Sequence, residues 1–270
     1  MKEFINEELN YEPSNLASFD FKKLQGDKKF GSQGFWFYCD DTKLARAIYC
    51  VLWQEKLVVN CVSELIKDKT YRGDTLNSLN TLFGKYGAKV EKILTNIQDY
   101  SEKDRFKNKV KGFNKIYHTI GNFAILPNNE IEDIRITVRE EGEYKEKLKP
   151  TTINRYRGNK SSKLHDYFDQ FLIVLEKWYY YSDEISDDWK KLLDGNKELF
   201  PKNFDYFREI LFLNSYFGAG GKNCRELTKG YPSALGPPTF EKAENYIREK
   251  TQIINQRAEI MIENIEKRLK

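Results

Sequence analysis

Few cysteines, prolines and histidines occur in this chain of 270 residues, four, seven and two respectively, and each scarcity closes off a class of function. Cys39, Cys50, Cys61 and Cys224 form no Cys-x-x-Cys pair, and neither His-x-x-x-His nor His-Glu-x-x-His occurs. No zinc site or thiol–disulfide motif therefore has local support, no metal is expected, and the cysteines read as reduced, mostly buried thiols. Apolar runs are short: nothing approaches the roughly 18–20 residues needed to cross a bilayer. The opening Met-Lys-Glu-Phe-Ile-Asn-Glu-Glu lacks the apolar stretch of a signal peptide. The expectation is a cytoplasmic protein without a membrane partner. Charge excess is also lacking: 45 basic against 41 acidic residues leave +4. That balance does not mark a strongly basic nucleic-acid binder and decides nothing about partners.

What is present is a well-supplied core. Hydrophobic residues make up 40% and aromatics 14% of the chain, enough burial to offset chain entropy and exclude disorder. The richness in Lys, Asn, Tyr and Ile fits an AT-rich bacterial genome. Pro13, Gly26, Gly31 and Gly34 punctuate residues 1–34, an irregular N-terminal arm anchored by Phe19, Phe21 and Leu24. Phe35 to Cys39 is compatible with a buried strand. Asp40, Asp41 and Thr42 offer caps for a helix carrying Leu44, Ile48, Val51 and Leu52. Further helices are expected over Val58 to Lys67, from an Asp74 or Thr75 cap through Phe83, and over Val90 to Ile97. The β-branched and aromatic stretch from Ile116 to Leu126, the turn at Pro127-Asn128-Asn129, and the alternation of Ile134, Ile136 and Val138 predict a hairpin.

From Lys163 the spacing becomes helical, with Leu164, Phe168, Phe171, Leu175 and Trp178 on one face. Trp189 to Leu193 and Phe204 to Phe217 predict two more helices. Phe240, Ala243, Ile247, Ile254, Ala258, Met261, Ile262, Ile265 and Leu269 mark one face of a helix over 239–269, suited to packing on the domain or to forming a homodimer. No fixed repeat or low-complexity linker divides the chain. The fold expected is a predominantly helical α+β domain spanning 1–270, with one small sheet or hairpin region packed on helices and a long C-terminal helix.

Phe19-Asp20-Phe21, Leu52-Trp53 before Lys56-Leu57, Gly121 to Pro127, Ile153-Asn154 with Arg157-Gly158, and Asp166 to Asp169 follow one another in an order that resembles a bacterial domain family of unknown function. The likeness extends through Leu211–Phe217 to the terminal helix, while Arg72 and His118 depart from the pattern. It implies a fold and a bacterial origin and supplies no chemistry.

Candidate chemistry lies in a few polar clusters. Tyr71-Arg72-Gly73-Asp74-Thr75-Leu76-Asn77 reads as a loop entering a helix, where Arg72, Asp74, Asn77 and free N–H groups suit a phosphate or carboxylate. A helix cap with a surface arginine is the plainer alternative. Asn154, Arg155 and Arg157, with Lys160, precede the helix expected from Lys163 and form the strongest anion-site candidate, unless Asp166 or Asp169 pairs with them. His118, in Tyr-His-Thr-Ile-Gly-Asn ending at Asn122, and His165 are the candidate general acids or bases, although lone histidines are more often structural.

Phe217-Gly-Ala-Gly-Gly-Lys-Asn fails the Walker pattern at Tyr216 and Asn223 and reads as a helix terminator, with Cys224 an inert thiol. Lys103, Arg105, Lys107, Lys109, Lys111 and Lys115 interleave with Phe106 and Phe113, a pattern suited to backbone contacts with stacking or to a solvated face. Together these features favour binding of an anionic ligand, a nucleotide or nucleic-acid backbone, through Arg72, Arg155 and Arg157 with His118 or His165 nearby. One alternative is an ADP-ribosyltransferase-like enzyme using NAD, since Tyr71-Arg72-Gly73 and Glu141-Gly142-Glu143 fall in that superfamily's block order without its serine-rich block. A non-catalytic dimeric interaction protein is another.

Overall fold

A computed structural model describes residues 2–8, 13–21, 42–53, 71–79, 93–127, 138–140, 143–145, 149–152, 155–157, 168–195, 197, 200–218, 223–227 and 239–270. The expected strand at 35–39, the helix over 58–67, and Asn154, Lys163 and His165 lie outside these residues. The described chain is predominantly helical. Its longer helices are α1 (Lys2–Glu8), α2 (Lys43–Trp53), α3 (Tyr100–Ile116), α4 (Phe168–Tyr180), α5 (Asp187–Asp194), α6 (Phe204–Ile210) and α7 (Phe240–Leu269), and residues 93–96 add a single helical turn. Six short strands form three antiparallel pairs: β1 (Tyr71–Thr75) with β2 (Phe123–Pro127), β3 (Val138–Glu140) with β4 (Glu143–Lys145), and β5 (Lys149–Thr152) with β6 (Arg155–Arg157).

Several helices begin where side-chain oxygens meet otherwise unpaired N–H groups. Thr42 Oγ1 accepts from the Ala45 amide at 3.2 Å, Asn203 caps α6 through the Tyr206 amide, and Thr239 caps α7 through the Lys242 amide. Helix α3 carries no broad apolar stripe, yet its start is written in the sequence: Asp99 accepts from the Ser101 amide at 2.7 Å, and its bonds to Ser101 hold its carboxyl below the usual range.

Helix α7 is the organising element. Thirty residues at 1.5 Å each give a rod of about 45 Å. Its apolar stripe is turned onto the chain's own core and joins two clusters. In one, Ile253, Ala258, Met261, Ile265 and Leu269 pack with α2, α4 and α6; in the other, Ala243, Tyr246, Ile247 and Ile254 meet Phe106 and Phe113 of α3. Outside this core, Glu244 on α7 takes Lys109 at 2.8 Å and Arg105 at 3.0 Å from α3, and these contacts hold its carboxyl low.

Gly121, in the helical turn before β2, sits against α7. A Cβ there would lie 2.1 Å from the Ile254 carbonyl oxygen and 2.8 Å from the Ala258 Cβ, so only glycine permits this approach. We expect Gly121→Ala to force α7 outward and cost about 1–3 kcal/mol, as overpacking does, read as a lowered urea midpoint; an unchanged midpoint would refute the close approach.

Two expectations are corrected, at Asp74 and at the end of α6. Phe123–Pro127 is a strand, and its described partner is Tyr71–Thr75, in the register Arg72 opposite Leu126 and Asp74 opposite Ala124; Ile134 and Ile136 of the expected hairpin lie outside the described residues, and Val138 pairs with Lys145. Asp74 is accordingly a strand residue and no helix cap. Gly and Asp are poor strand formers, and a backbone ladder to a distant segment overrides that preference. The helix from Phe204 stops at Ile210 instead of reaching Phe217, because Phe212 adopts a left-handed φ of 57°. The Leu213 amide reaches back to the Arg208 carbonyl at 2.8 Å and the Phe212 amide to Glu209 at 3.1 Å, a Schellman closure with phenylalanine where glycine is usual. Core burial keeps it there: the Phe212 ring lies 6.4 Å from that of Trp53, whose indole N–H donates to the Ile210 carbonyl at 2.6 Å.

Candidate functional site

The buried polar residues collect where α7 crosses α4, the β1–β2 pair and the turn after α6. Lys250 and Arg257 stand one heptad apart on the inner face of α7, and both are buried. Lys250 Nζ lies 3.2 Å from Asp169 Oδ1 on α4, with side-chain exposures of 1% and 0%, so the pair is withdrawn from water. The ammonium also stands 5.3 and 5.5 Å from the ring centroids of Tyr216 and Tyr246, within cation–π range.

Arg257 has no carboxylate among its described partners. Its guanidinium donates instead to backbone carbonyls: Nη2 to Phe123 at 3.0 Å and Leu211 at 2.9 Å, Nε to Phe212 at 3.2 Å, and Nη1 to Gly121. One side chain thus ties β2, the turn before it and the strained end of α6 to α7. Burial pushes its pKa down to about 10, so it stays charged at neutral pH.

Around these cations runs a chain of neutral groups. Tyr216 donates its hydroxyl to Asn77 Oδ1 at 2.9 Å, and Asn77 Nδ2 donates to Asn122 Oδ1 at 2.9 Å. Asn122 Nδ2 donates in turn to the carbonyls of Asn77 and Tyr117, while Tyr246 donates to the Ser78 carbonyl. Burial raises the Tyr216 hydroxyl far above its ordinary pKa, which keeps it a neutral donor. Cys224 points its thiol at the Asp169 carbonyl at 3.5 Å, and desolvation followed by the Asp169 charge raises its pKa. A thiol held protonated is no nucleophile, in keeping with the inert reading.

The sequence-derived candidates are thus divided. Asn77 and Asn122 are fully buried and turned towards each other. Their side-chain amide atoms are taken by protein partners. Arg72 and Asp74 belong to β1, and Arg155 and Arg157 to β6, so neither arginine group directly precedes a described helix. Glu143 falls in β4 while Arg72 falls in β1, two separate ladders. His118 is half-buried, with its ring 4.3 Å from that of Tyr117, and its carbonyl accepts from the Phe21 amide at 3.1 Å. Phe106 and Phe113 are core residues and unavailable for stacking.

Sequence reasoning missed Lys250, Arg257 and Tyr216, and it offered Asp169 as a partner for Arg155 and Arg157, whereas Asp169 pairs with Lys250. For the two cations a signal existed: positions 250 and 257 continue the stripe through Ala243, and a charged residue on the apolar face of a helix must be paired or capped.

Among the described residues no group of His, Cys, Asp and Glu is arranged to hold a metal ion, and no helix is long and apolar enough to cross a membrane. Comparison of the chain with protein-family models, with curated proteins and with solved structures gives no match.

Proposed function

We propose that the chain binds an anionic ligand, a nucleotide or nucleic-acid backbone, at the ribbon formed by β5 and β6. The observation that carries this reading is the strand register. Lys149 and Arg157 are direct partners across the ladder, and Arg155 lies two residues from Arg157, a spacing that returns to the same face of a strand. Like charges directly opposite one another destabilise a strand pair, and an anion shared between them reverses the sign. The competing internal partner is α5, which lies beside β5 and carries Asp187, Asp188 and Asp194. Asp194 is engaged by the Trp178 indole at 2.8 Å.

The test is a thermal-shift titration with nucleoside triphosphates and inorganic phosphate on the wild type and on Arg155→Gln/Arg157→Gln. A ligand at ~100 times its Kd adds about 2.7 kcal/mol, which raises the melting temperature measurably. The expected result is a shift with the wild type that the double substitution abolishes. A double variant that melts lower without ligand, together with a wild type that no anion shifts, would assign these cations to internal carboxylates.

A further inference from the structure

We propose that the outward face of α3 binds single-stranded nucleic acid, its lysines taking the phosphate backbone and Tyr100 stacking on a base. This surface is independent of the β5–β6 cluster. Lys103, Lys107, Lys111 and Lys115 recur every fourth residue along α3. Each step rises about 6 Å along the helix, which brings successive ammonium groups into a shallow spiral at a pitch comparable with neighbouring phosphates of an extended strand. Lys107, Lys111 and Lys115 are exposed.

Carboxylates do not account for this stripe. Glu244 is occupied by Arg105 and Lys109, which lie on the side of α3 that turns towards α7. Glu102 reaches Arg105 at 3.8 Å. Asp104 meets Lys107 only loosely, at 3.8 Å with side chains 75% and 52% exposed, and Asp99, one step before Lys103 in the same series, is engaged by the Ser101 amide and hydroxyl. Among the described residues Lys111 and Lys115 have no carboxylate partner. Helix stability does not explain the pattern either. Like charges four residues apart repel, and Lys103 stands near the N-terminal end, where the helix dipole disfavours a cation. A polyanion laid along the face turns those repulsions into attraction and releases counterions.

Tyr100 adds the second element. At 81% exposure it is the most exposed large hydrophobic residue described, and it stands at the head of the stripe with Lys103 Nζ 5.4 Å from its ring centroid. An open aromatic face beside a cationic track is what sequence-tolerant single-strand binders use. A bilayer fits less well: the large apolar residues of α3, Phe106 and Phe113, are in the core, which leaves no apolar face to insert among lipid chains.

The experiment is fluorescence anisotropy of a labelled oligodeoxythymidylate of about 15 nucleotides, a length that covers one such track. The full chain is titrated at roughly 50 and 200 mM salt, where backbone binding weakens steeply. Lys107→Gln/Lys111→Gln should weaken binding about tenfold at the lower salt and reduce the slope of log K against log salt by about 1.4, or ~0.7 for each phosphate no longer neutralised. Tyr100→Ala should weaken binding at least ~5-fold with the slope unchanged, as removal of a stacking partner does. The losses caused by the lysine and tyrosine substitutions should be the same fold in the Arg155→Gln/Arg157→Gln background as in the wild type, which separates this surface from the strand cluster.

The inference is overturned if the wild type gives no anisotropy change at low salt, or if the lysine or tyrosine variants, helical by circular dichroism, bind as the wild type. It is equally overturned if phosphatidylserine vesicles sediment the protein and the oligonucleotide does not displace it. Loss of oligonucleotide binding in the arginine variant alone would move the site to β6.

Discussion

Arg257→Met is expected to remove at least about 4 kcal/mol of stability, a large share of the roughly 5–15 kcal/mol that holds a typical domain together. The cost is set by what the guanidinium leaves behind. The carbonyls of Gly121, Phe123, Leu211 and Phe212 all accept from it in a dry interior. A buried acceptor that loses its donor costs about 1–3 kcal/mol. Methionine fills much of the volume but donates nothing. The left-handed Phe212 would also lose part of what holds it, since a bulky residue in that region persists only where its surroundings over-determine it. Arg257→Lys should fall between the wild type and methionine, because a compact ammonium cannot span four acceptors as a planar fork does. Urea unfolding followed by near-ultraviolet circular dichroism reads the effect. A methionine variant within about 1 kcal/mol of the wild type would mean that the four carbonyls find other donors.

The second large effect concerns Asp169 and Lys250. Asp169→Asn keeps the shape of the side chain but leaves the Lys250 ammonium in the interior without its counter-charge, and breaking one side of a buried pair costs about 3–5 kcal/mol. The Tyr216 and Tyr246 rings soften the loss without removing it, because cation–π contacts contribute only about 0.5–2 kcal/mol. Lys250→Met should be comparably harmful, since it strands the carboxylate. Asp169→Leu combined with Lys250→Met should be far milder than the sum of its parts, since a pair of apolar residues of similar volume is often neutral or better. A double-mutant cycle of Asp169→Leu, Lys250→Met and the two combined measures this directly. Additive losses across the cycle would show that the two side chains act separately and that the 3.2 Å ion pair contributes little.

The polar interior and the cationic exterior have different physical roles. Inside, charges and amides are satisfied by backbone carbonyls and by one another, which makes α7 specific in register as well as buried. Outside, α3 carries a line of lysines that its own carboxylates do not neutralise. That local excess on α3 is what suits the face to the anionic partner proposed for it.

The sequence by itself determined what local physics controls. Periodicity placed α2, α5 and α7, and the positions of their apolar residues; Thr42 gave one cap correctly. The predominance of helix over a small amount of strand followed from the same patterns. At α6 the periodicity was right for seven residues and then misleading, because a phenylalanine in a left-handed turn carries no local signature. Only tertiary structure decided that Tyr71–Thr75 is a strand, since its ladder is made with residues about fifty positions away and its own composition argues for a turn. The same holds for the polar core. Lys250 and Arg257 were visible as charges on an apolar stripe, but their partners are an aspartate 81 residues away and carbonyls up to 136 residues away. Which acceptors a buried cation finds depends on how helices and strands are brought together, and desolvation then makes those few contacts decisive.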